Sequence, residues 1–193
     1  YNAPLYSLTS GAANVAVGNG AASSTTTGTY NVALGRAALY YNTTGAGNIA
    51  VGYAAMYLAG THNYSTAVGY QALYSNDANN NTAVGYQAGY SNATGTRNTA
   101  IGYLAGYTSN TNYCTYVGAY AGQLATGQYN TAIGDAAMYS SGTGTDNTAV
   151  GTAGMPNNTS GSYNTGIGRY ALASNTSASY NTAVGYQAGY TNS

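Results

Sequence analysis

A glycine returns eleven times at almost constant spacing, at Gly18, Gly35, Gly52, Gly69, Gly85, Gly102, Gly118, Gly134, Gly151, Gly168 and Gly185. Successive intervals are 17, 17, 17, 16, 17, 16, 16, 17, 17 and 17 residues. Each glycine lies inside a copy of one phrase, complete as Asn-Thr-Ala-Val-Gly-Tyr-Gln-Ala-Gly-Tyr at Asn81 to Tyr90. A period this short specifies a coil of stacked turns, each burying its apolar face only against its neighbours. The repeat fills nearly all 193 residues, which leaves little room for a separate catalytic domain. Helix pairs need a longer repeat, and Gly, Asn, Thr and Tyr are poor helix formers. A collagen-like helix is excluded because glycine does not recur at every third position.

Positions are numbered here from the glycine of each turn, and turns from one (Gly18) to eleven (Gly185). Position −1 is β-branched or Leu in every turn, from Val17 and Leu34 to Ile167 and Val184. Position −3 is Val15, Val32 and Ile49, then Thr66, Thr82, Thr99, Thr115, Thr131, Thr148, Thr165 and Thr182. This alternation predicts a short strand whose −3/−1 face is buried, ending at a corner that glycine permits. Position +3 is Ala in every turn but the ninth, where Gly154 stands, so the coil is crowded there. A second corner is marked at −7 by Gly11, Gly28, Gly45, Gly95, Gly127, Gly144 and Gly161. The expected fold is all-β: a parallel β-solenoid, or β-roll, of about eleven turns of 16–17 residues over 11–193, each with two short strands and two corners. Residues 1–10 break the period and read as an irregular cap or junction, with Pro4 unable to donate to a ladder.

Stacking sets like upon like. Position −4 forms an Asn ladder of Asn14, Asn31, Asn48, Asn81, Asn98, Asn130, Asn147, Asn164 and Asn181, interrupted by Ser65 and Cys114. Its amides are expected to hydrogen-bond along the axis. Tyrosine falls into three partial columns. Tyr40, Tyr57, Tyr74, Tyr90, Tyr107, Tyr139 and Tyr190 are the candidate assembly tyrosines. The others are Tyr53, Tyr70, Tyr86, Tyr103 and Tyr186, and Tyr30, Tyr64, Tyr113, Tyr129, Tyr163 and Tyr180.

Composition removes several functions. Only 3% of residues are charged, against about 25% in ordinary soluble domains. The six are Arg36, Arg97, Arg169, Asp77, Asp135 and Asp146, and formal net charge is zero, which favours association. Nucleic-acid binding needs clustered cations that are missing. No stretch is long and apolar enough to span a bilayer as a helix. The three Asp fall at different repeat positions, His62 is the single histidine, in the irregular segment 59–64, and there is no Glu, so no acid–base pair or triad is expected. No enzyme activity and no metal or cofactor site follows. Cys114 is the only cysteine and reads as a small residue tolerated in the ladder. The Thr column shares the parity of the Val/Ile column and is expected to face inward or to sit at the strand edge, which argues against ice binding. Sequons at Asn42, Asn63, Asn80, Asn92, Asn157, Asn158 and Asn175 follow from an Asn/Thr-rich composition.

Asn-Val-Ala-Val-Gly (14–18), Asn-Val-Ala-Leu-Gly (31–35) and Asn-Ile-Ala-Val-Gly (48–52) resemble the head repeats of trimeric autotransporter adhesins. Asn-Thr-Ala-Val-Gly-Tyr-Gln-Ala (81–88 and 181–188) is also similar to repeats of some phage and bacterial tail-fibre-like proteins. The resemblance implies a left-handed parallel β-roll, commonly trimeric, that works in surface attachment, and it supplies no catalytic residue. The start at Tyr1 reads as a processed or partial product. The consensus copy at 181–190, followed by Thr191-Asn192-Ser193, reads as an open β edge that invites another copy. The leading expectation is an extracellular structural protein that self-assembles into a filament through β-edge stacking and Tyr-rich faces. The alternative is a trimeric adhesin head or tail-fibre shaft binding a cell-surface receptor or glycan, and the minor one an ice- or carbohydrate-binding solenoid.

Overall fold

The computed structural model describes residues 3–191 and contains one sheet of eleven three-residue strands. In chain order these are β1 (Val15–Val17), β2 (Val32–Leu34), β3 (Ile49–Val51), β4 (Thr66–Val68), β5 (Thr82–Val84), β6 (Thr99–Ile101), β7 (Thr115–Val117), β8 (Thr131–Ile133), β9 (Thr148–Val150), β10 (Thr165–Ile167) and β11 (Thr182–Val184). All are parallel and each pairs only with its sequence neighbours, in the order β1 to β11. Equivalent residues face each other without slippage, as in Thr82↔Thr99, Ala83↔Ala100 and Val84↔Ile101. The protein is therefore a parallel β-solenoid of about ten turns, spaced about 17 residues apart, with no helix among the described residues.

Each strand stops at its repeat glycine, whose φ lies between +115° and +140°. That region is strained for any residue with a Cβ. Space forbids one too, since a Cβ on Gly102 would lie 2.6 Å from the carbonyl carbon of Gly118 in the next turn. Three further columns adopt left-handed backbone with residues other than glycine, among them +4 at Leu39 (φ 53°) and Met138 (φ 55°). At +2 these include Gln71 (φ 52°) and Tyr120 (φ 57°), and at −5 Tyr30 (φ 58°) and Tyr163 (φ 59°). Such residues cost about 1–2 kcal/mol each, and bonds between turns hold them in place. Gln87 N–H donates to Tyr70 O at 2.9 Å and Tyr30 N–H to Ala12 O at 3.1 Å.

The buried face of the strand is not the one that alternation predicts. Position −2 points inward: Ala33, Ala50, Ala67, Ala83, Ala132 and Ala149 are all 0% exposed. The branched −1 side chains point out, with Val17, Val84, Ile101, Ile133, Ile167 and Val184 exposed by 36–66%. The Thr column at −3 lies on the same outer face and is half-buried by its own neighbours in turns four to ten. The reason is the thinness of the coil. Ala at −2 meets Ala at +3 (Ala38, Ala55, Ala72, Ala88, all 0%) and a larger residue at +4 (Leu39, Met56, Leu73, Met138, Met155, Leu172). A third branched column would not fit between them.

The expectation of two strands per turn also changes. Opposite the sheet the chain runs as stacked turns linked by Ala22 N–H to Ala38 O (2.9 Å), Ser24 N–H to Tyr40 O (3.0 Å) and Thr26 N–H to Thr43 O (2.8 Å). The hydrogen bonds between turns persist there, but the left-handed residues keep that wall from forming strands. Of the segment expected to cap the coil, Leu5, Ser7 and Thr9 donate main-chain bonds to Ala21, Ser23 and Thr26 at 2.9–3.1 Å, the same kind of link as later turns make. Tyr1 and Asn2, and Asn192 and Ser193 beyond the last copy, lie outside the described residues.

Candidate functional surfaces

Inside the coil, position −4 makes a continuous polar spine. The Oδ1 of Asn31 accepts the main-chain N–H of Asn48 at 2.9 Å, and Asn81, Asn130, Asn147 and Asn164 do the same for Asn98, Asn147, Asn164 and Asn181, each at 2.9 Å. Each Nδ2 donates to a corner carbonyl of the following turn, as from Asn14 to Gly28 (2.7 Å), Asn48 to His62 (2.8 Å), Asn81 to Gly95 (2.7 Å) and Asn98 to Thr111 (2.5 Å). One amide thus satisfies a buried donor and a buried acceptor of the next turn. Direct amide-to-amide bonds are confined to its ends, Asn31 to Asn14 at 3.1 Å and Asn181 to Asn164 at 3.0 Å. The two interruptions keep the acceptor: Ser65 Oγ takes the Asn81 N–H at 3.1 Å, and Cys114 Sγ takes the Asn130 N–H at 3.4 Å. Cys114 is buried and does the ladder's work.

A second interior ladder at +7 escapes sequence reasoning. Asn42, Asn76, Asn92, Asn158 and Asn175 are all at most 2% exposed and bond carbonyls two or three residues on, for example Asn76 to Ala78 at 2.8 Å and Asn158 to Gly161 at 2.7 Å. Its signal was that +7 accepts only Asn, Ser, Thr or Ala (Thr25, Ala59, Ser109, Ala125, Ser141). Four of the sequons (Asn42, Asn92, Asn158, Asn175) are therefore closed to sugar attachment in the folded coil, whereas Asn80 and Asn157 are exposed and Asn63 is half-buried.

His62 takes the place of a corner glycine at −7, where its carbonyl serves Asn48. The ring is 3% exposed, with Nε2 3.4 Å from the Met56 Sδ and no partner for Nδ1. Burial holds its pKa down at about 4, against a smaller upward pull from Asp77. Among the described residues no three His, Cys, Asp or Glu side chains come together as a metal site.

The tyrosines form ladders outside. Tyr40, Tyr57, Tyr74, Tyr90 and Tyr107 stack in sequence with centroids 5.0–5.4 Å apart and planes within 27°. At +1, Tyr53, Tyr70, Tyr86 and Tyr103 stack at 5.1–5.3 Å within 16°. Ring faces are thus spent on one another, and edges and hydroxyls face the solvent. The first ladder ends after five turns because Gln123 and Pro156 occupy the +5 places beside Tyr139, and Ala173 the one before Tyr190. Tyr139 instead meets Tyr120 edge-on at 6.2 Å. The −5 column is reduced to the pairs Tyr113–Tyr129 and Tyr163–Tyr180, each at 5.1 Å, and Arg97 lies over the Tyr113 ring and bonds its hydroxyl. Between the +1 and +5 ladders runs a trough of about 290 Å³ floored by Ala37, Ala54 and Gln71.

The sheet face is the remaining surface. It carries eleven branched or Leu side chains at −1 beside the Thr column at −3, with no charged residue in either. Val15 and Ile49 extend the apolar surface where Thr is absent, at 52% and 41% exposure. A continuous apolar stripe of this kind is unusual on a monomer's surface. No protein-family model matches the chain, and neither a curated protein nor a solved structure matches it.

Proposed function

We propose that this chain is a non-catalytic structural rod of the cell exterior whose copies associate side by side through the sheet face. The observation that carries this is the outward stripe at −1, flanked by threonine along eleven strands. At about 4.8 Å per strand the stripe is about 50 Å long. With the two columns that border it, it offers on the order of 500–700 Å² per copy, close to the roughly 800 Å² a stable partner contributes. Zero net charge leaves nothing to hold copies apart.

Sedimentation velocity combined with negative-stain microscopy tests this. Discrete short rods of a small fixed mass fit a closed bundle, such as the trimer of an adhesin head or fibre shaft. Long uniform threads fit a filament. Val84→Lys with Ile101→Lys puts two charges on outward positions that the fold does not need, and should leave single coils. An unchanged mass would remove the sheet face as the contact.

The outward Thr column also favours a second reading, ice binding, since the orientation that argued against it is reversed. Thermal hysteresis in dilute solution separates the two, because a stripe buried between copies cannot reach ice.

A further inference from the structure

The trough between the two tyrosine ladders has defined walls. Its lining runs from Asn19 in turn one to Gln71 and Tyr74 in turn four, with Arg36 and Tyr53 on one wall and Tyr40, Tyr57 and Tyr74 on the other. At turn seven Tyr120 crosses it, edge-on to Tyr103 of one wall at 5.3 Å and to Tyr139 beyond the other at 6.2 Å. At turn two Arg36 extends the +1 wall, with its guanidinium 5.8 Å from the Tyr53 ring centre. The lined length is about 15 Å at one strand spacing per turn.

We propose that this channel binds an extended, neutral, polyhydroxylated chain, a linear glycan, lying along the solenoid axis. The walls set tyrosine edges and phenol hydroxyls in register at about the strand spacing of 4.8 Å, as in the Tyr53–Tyr70 and Tyr57–Tyr74 stacks. An extended β-1,4-linked glycan advances one sugar in a closely similar step, so successive sugars meet successive tyrosines. On the floor the Gln87 Nε2 donates to the Gln71 Oε1 at 2.8 Å, which leaves the Gln71 Nε2 and the Gln87 Oε1 to offer a ligand. Ala37 and Ala54 keep the floor low. Charge complementarity selects a neutral ligand, because no carboxylate lines the channel and Arg36 is its one cation. The mode is edge-on hydrogen bonding, since stacked rings have no face to give a sugar.

The reading is independent of self-association through the sheet, which lies on another wall. The test uses the 193-residue chain with two probes, the hexamers of β-1,4-linked glucose and of β-1,4-linked N-acetylglucosamine, followed by calorimetry and tyrosine fluorescence. Gln71→Tyr plugs the channel at a position where Tyr120 and Tyr170 already hold the same left-handed backbone, and Gln87→Tyr does so one turn on. Saturable binding of either hexamer, weakened at least tenfold by either plug and unchanged by Tyr163→Ser on the −5 column, is the expected result. Failure of both hexamers to bind, or binding indifferent to the plugs, overturns it. So does a plug that alters the sedimenting mass and leaves sugar binding intact, because the channel would then be a contact between copies.

Discussion

Turn seven breaks the packing rule of the coil, and the break can be used to test it. Tyr116 stands at −2 in place of the usual Ala and is 1% exposed. The +4 slots of turns five, six and seven hold Gly89, Gly106 and Gly122, whereas turns two to four and eight to ten hold Leu or Met. A Cβ on Gly122 would lie 2.7 Å from the Tyr116 Cγ, and one on Gly106 2.9 Å from its Cδ2, so the ring occupies the space those side chains lack. Only about 10 Å³ stays empty beside Gly89 and Gly106. A tyrosine buries roughly 150–250 Å². At about 25 cal/mol per Å² that is worth about 4–6 kcal/mol, and a compact unfolded state lowers it by about 10–40%. Tyr116→Ala should therefore cost about 3–5 kcal/mol, in line with other large aromatic truncations. Gly122→Met alone forces a side chain into the ring and should cost about 3 kcal/mol. Together the two substitutions rebuild the core of turn eight, where Ala132 faces Met138 at the same left-handed φ. The double variant should thus recover at least about 3 kcal/mol of the summed losses. Because a solenoid can open locally, amide hydrogen exchange across residues 114–137 is the better readout than a single melting temperature. Additive losses in the double variant would refute the idea that one ring fills two slots.

Three further outcomes follow from the same geometry. Asn81→Ala strands the buried Asn98 N–H, while the Gly95 carbonyl keeps its bond from the Asn92 Nδ2 at 2.9 Å, and should cost about 1–3 kcal/mol by urea unfolding, with Asn81→Ser milder because Ser65 already does this work. Gly102→Ala meets both a φ of +137° and the Gly118 carbonyl, whereas a Cβ on Gly185 (φ +127°) has only the Ala188 Cβ at 3.8 Å. The first should destabilise the chain by at least about 2 kcal/mol more than Gly185→Ala, which carries the backbone strain of about 1–3 kcal/mol alone. For His62 the folded pKa of about 4 lies below the unfolded value of 6.5, so the unfolded chain binds the proton first. Stability is whole above pH 6.5 and falls through the window down to pH 4, by about 3 kcal/mol at most. His62→Gln should flatten that part of the pH–stability curve, and an equal slope in both proteins would place the titration elsewhere.

How far the sequence speaks depends on which neighbour a residue answers to. The repeat glycines, the −4 spine and the Ala column at +3 answer to the turn above or below, and stacking of identical phrases makes such columns visible in one dimension. The inward face of the strand answers instead to the opposite wall. Alternation alone left both parities open, and the branched residues drew the choice to the wrong one. The Ala column at −2, broken only by Tyr116 and Gly166, carried the right signal by the same small-residue logic that worked at +3. The +7 ladder was hidden because Asn, Ser, Thr and Ala there look like loop composition. The trough was hidden for a different reason: two columns must be known to flank a third before they make walls.

The division of labour between columns has a consequence for where function can reside. Inward columns are saturated: each position is held by a clash, a spine hydrogen bond or a filled slot, so none can change without local loss of stability. Outward columns are held by little, and they drift along the coil. Position +1 runs Asn19, Arg36, then four tyrosines, then Ala119, Asp135, Thr152 and Arg169, and returns to Tyr186. Position −1, by contrast, faces outward yet never drifts from a branched or Leu side chain in eleven turns. The side chain points away from the interior of the coil, so the core does not select it. β-propensity alone would accept Thr or Tyr there as readily. Constancy on an outward column is the pattern that the proposed contact between sheet faces would impose. The two tyrosine ladders show the opposite pattern, four turns of paired regularity that Tyr120 ends, which is the form of a site with a length rather than of a surface without ends.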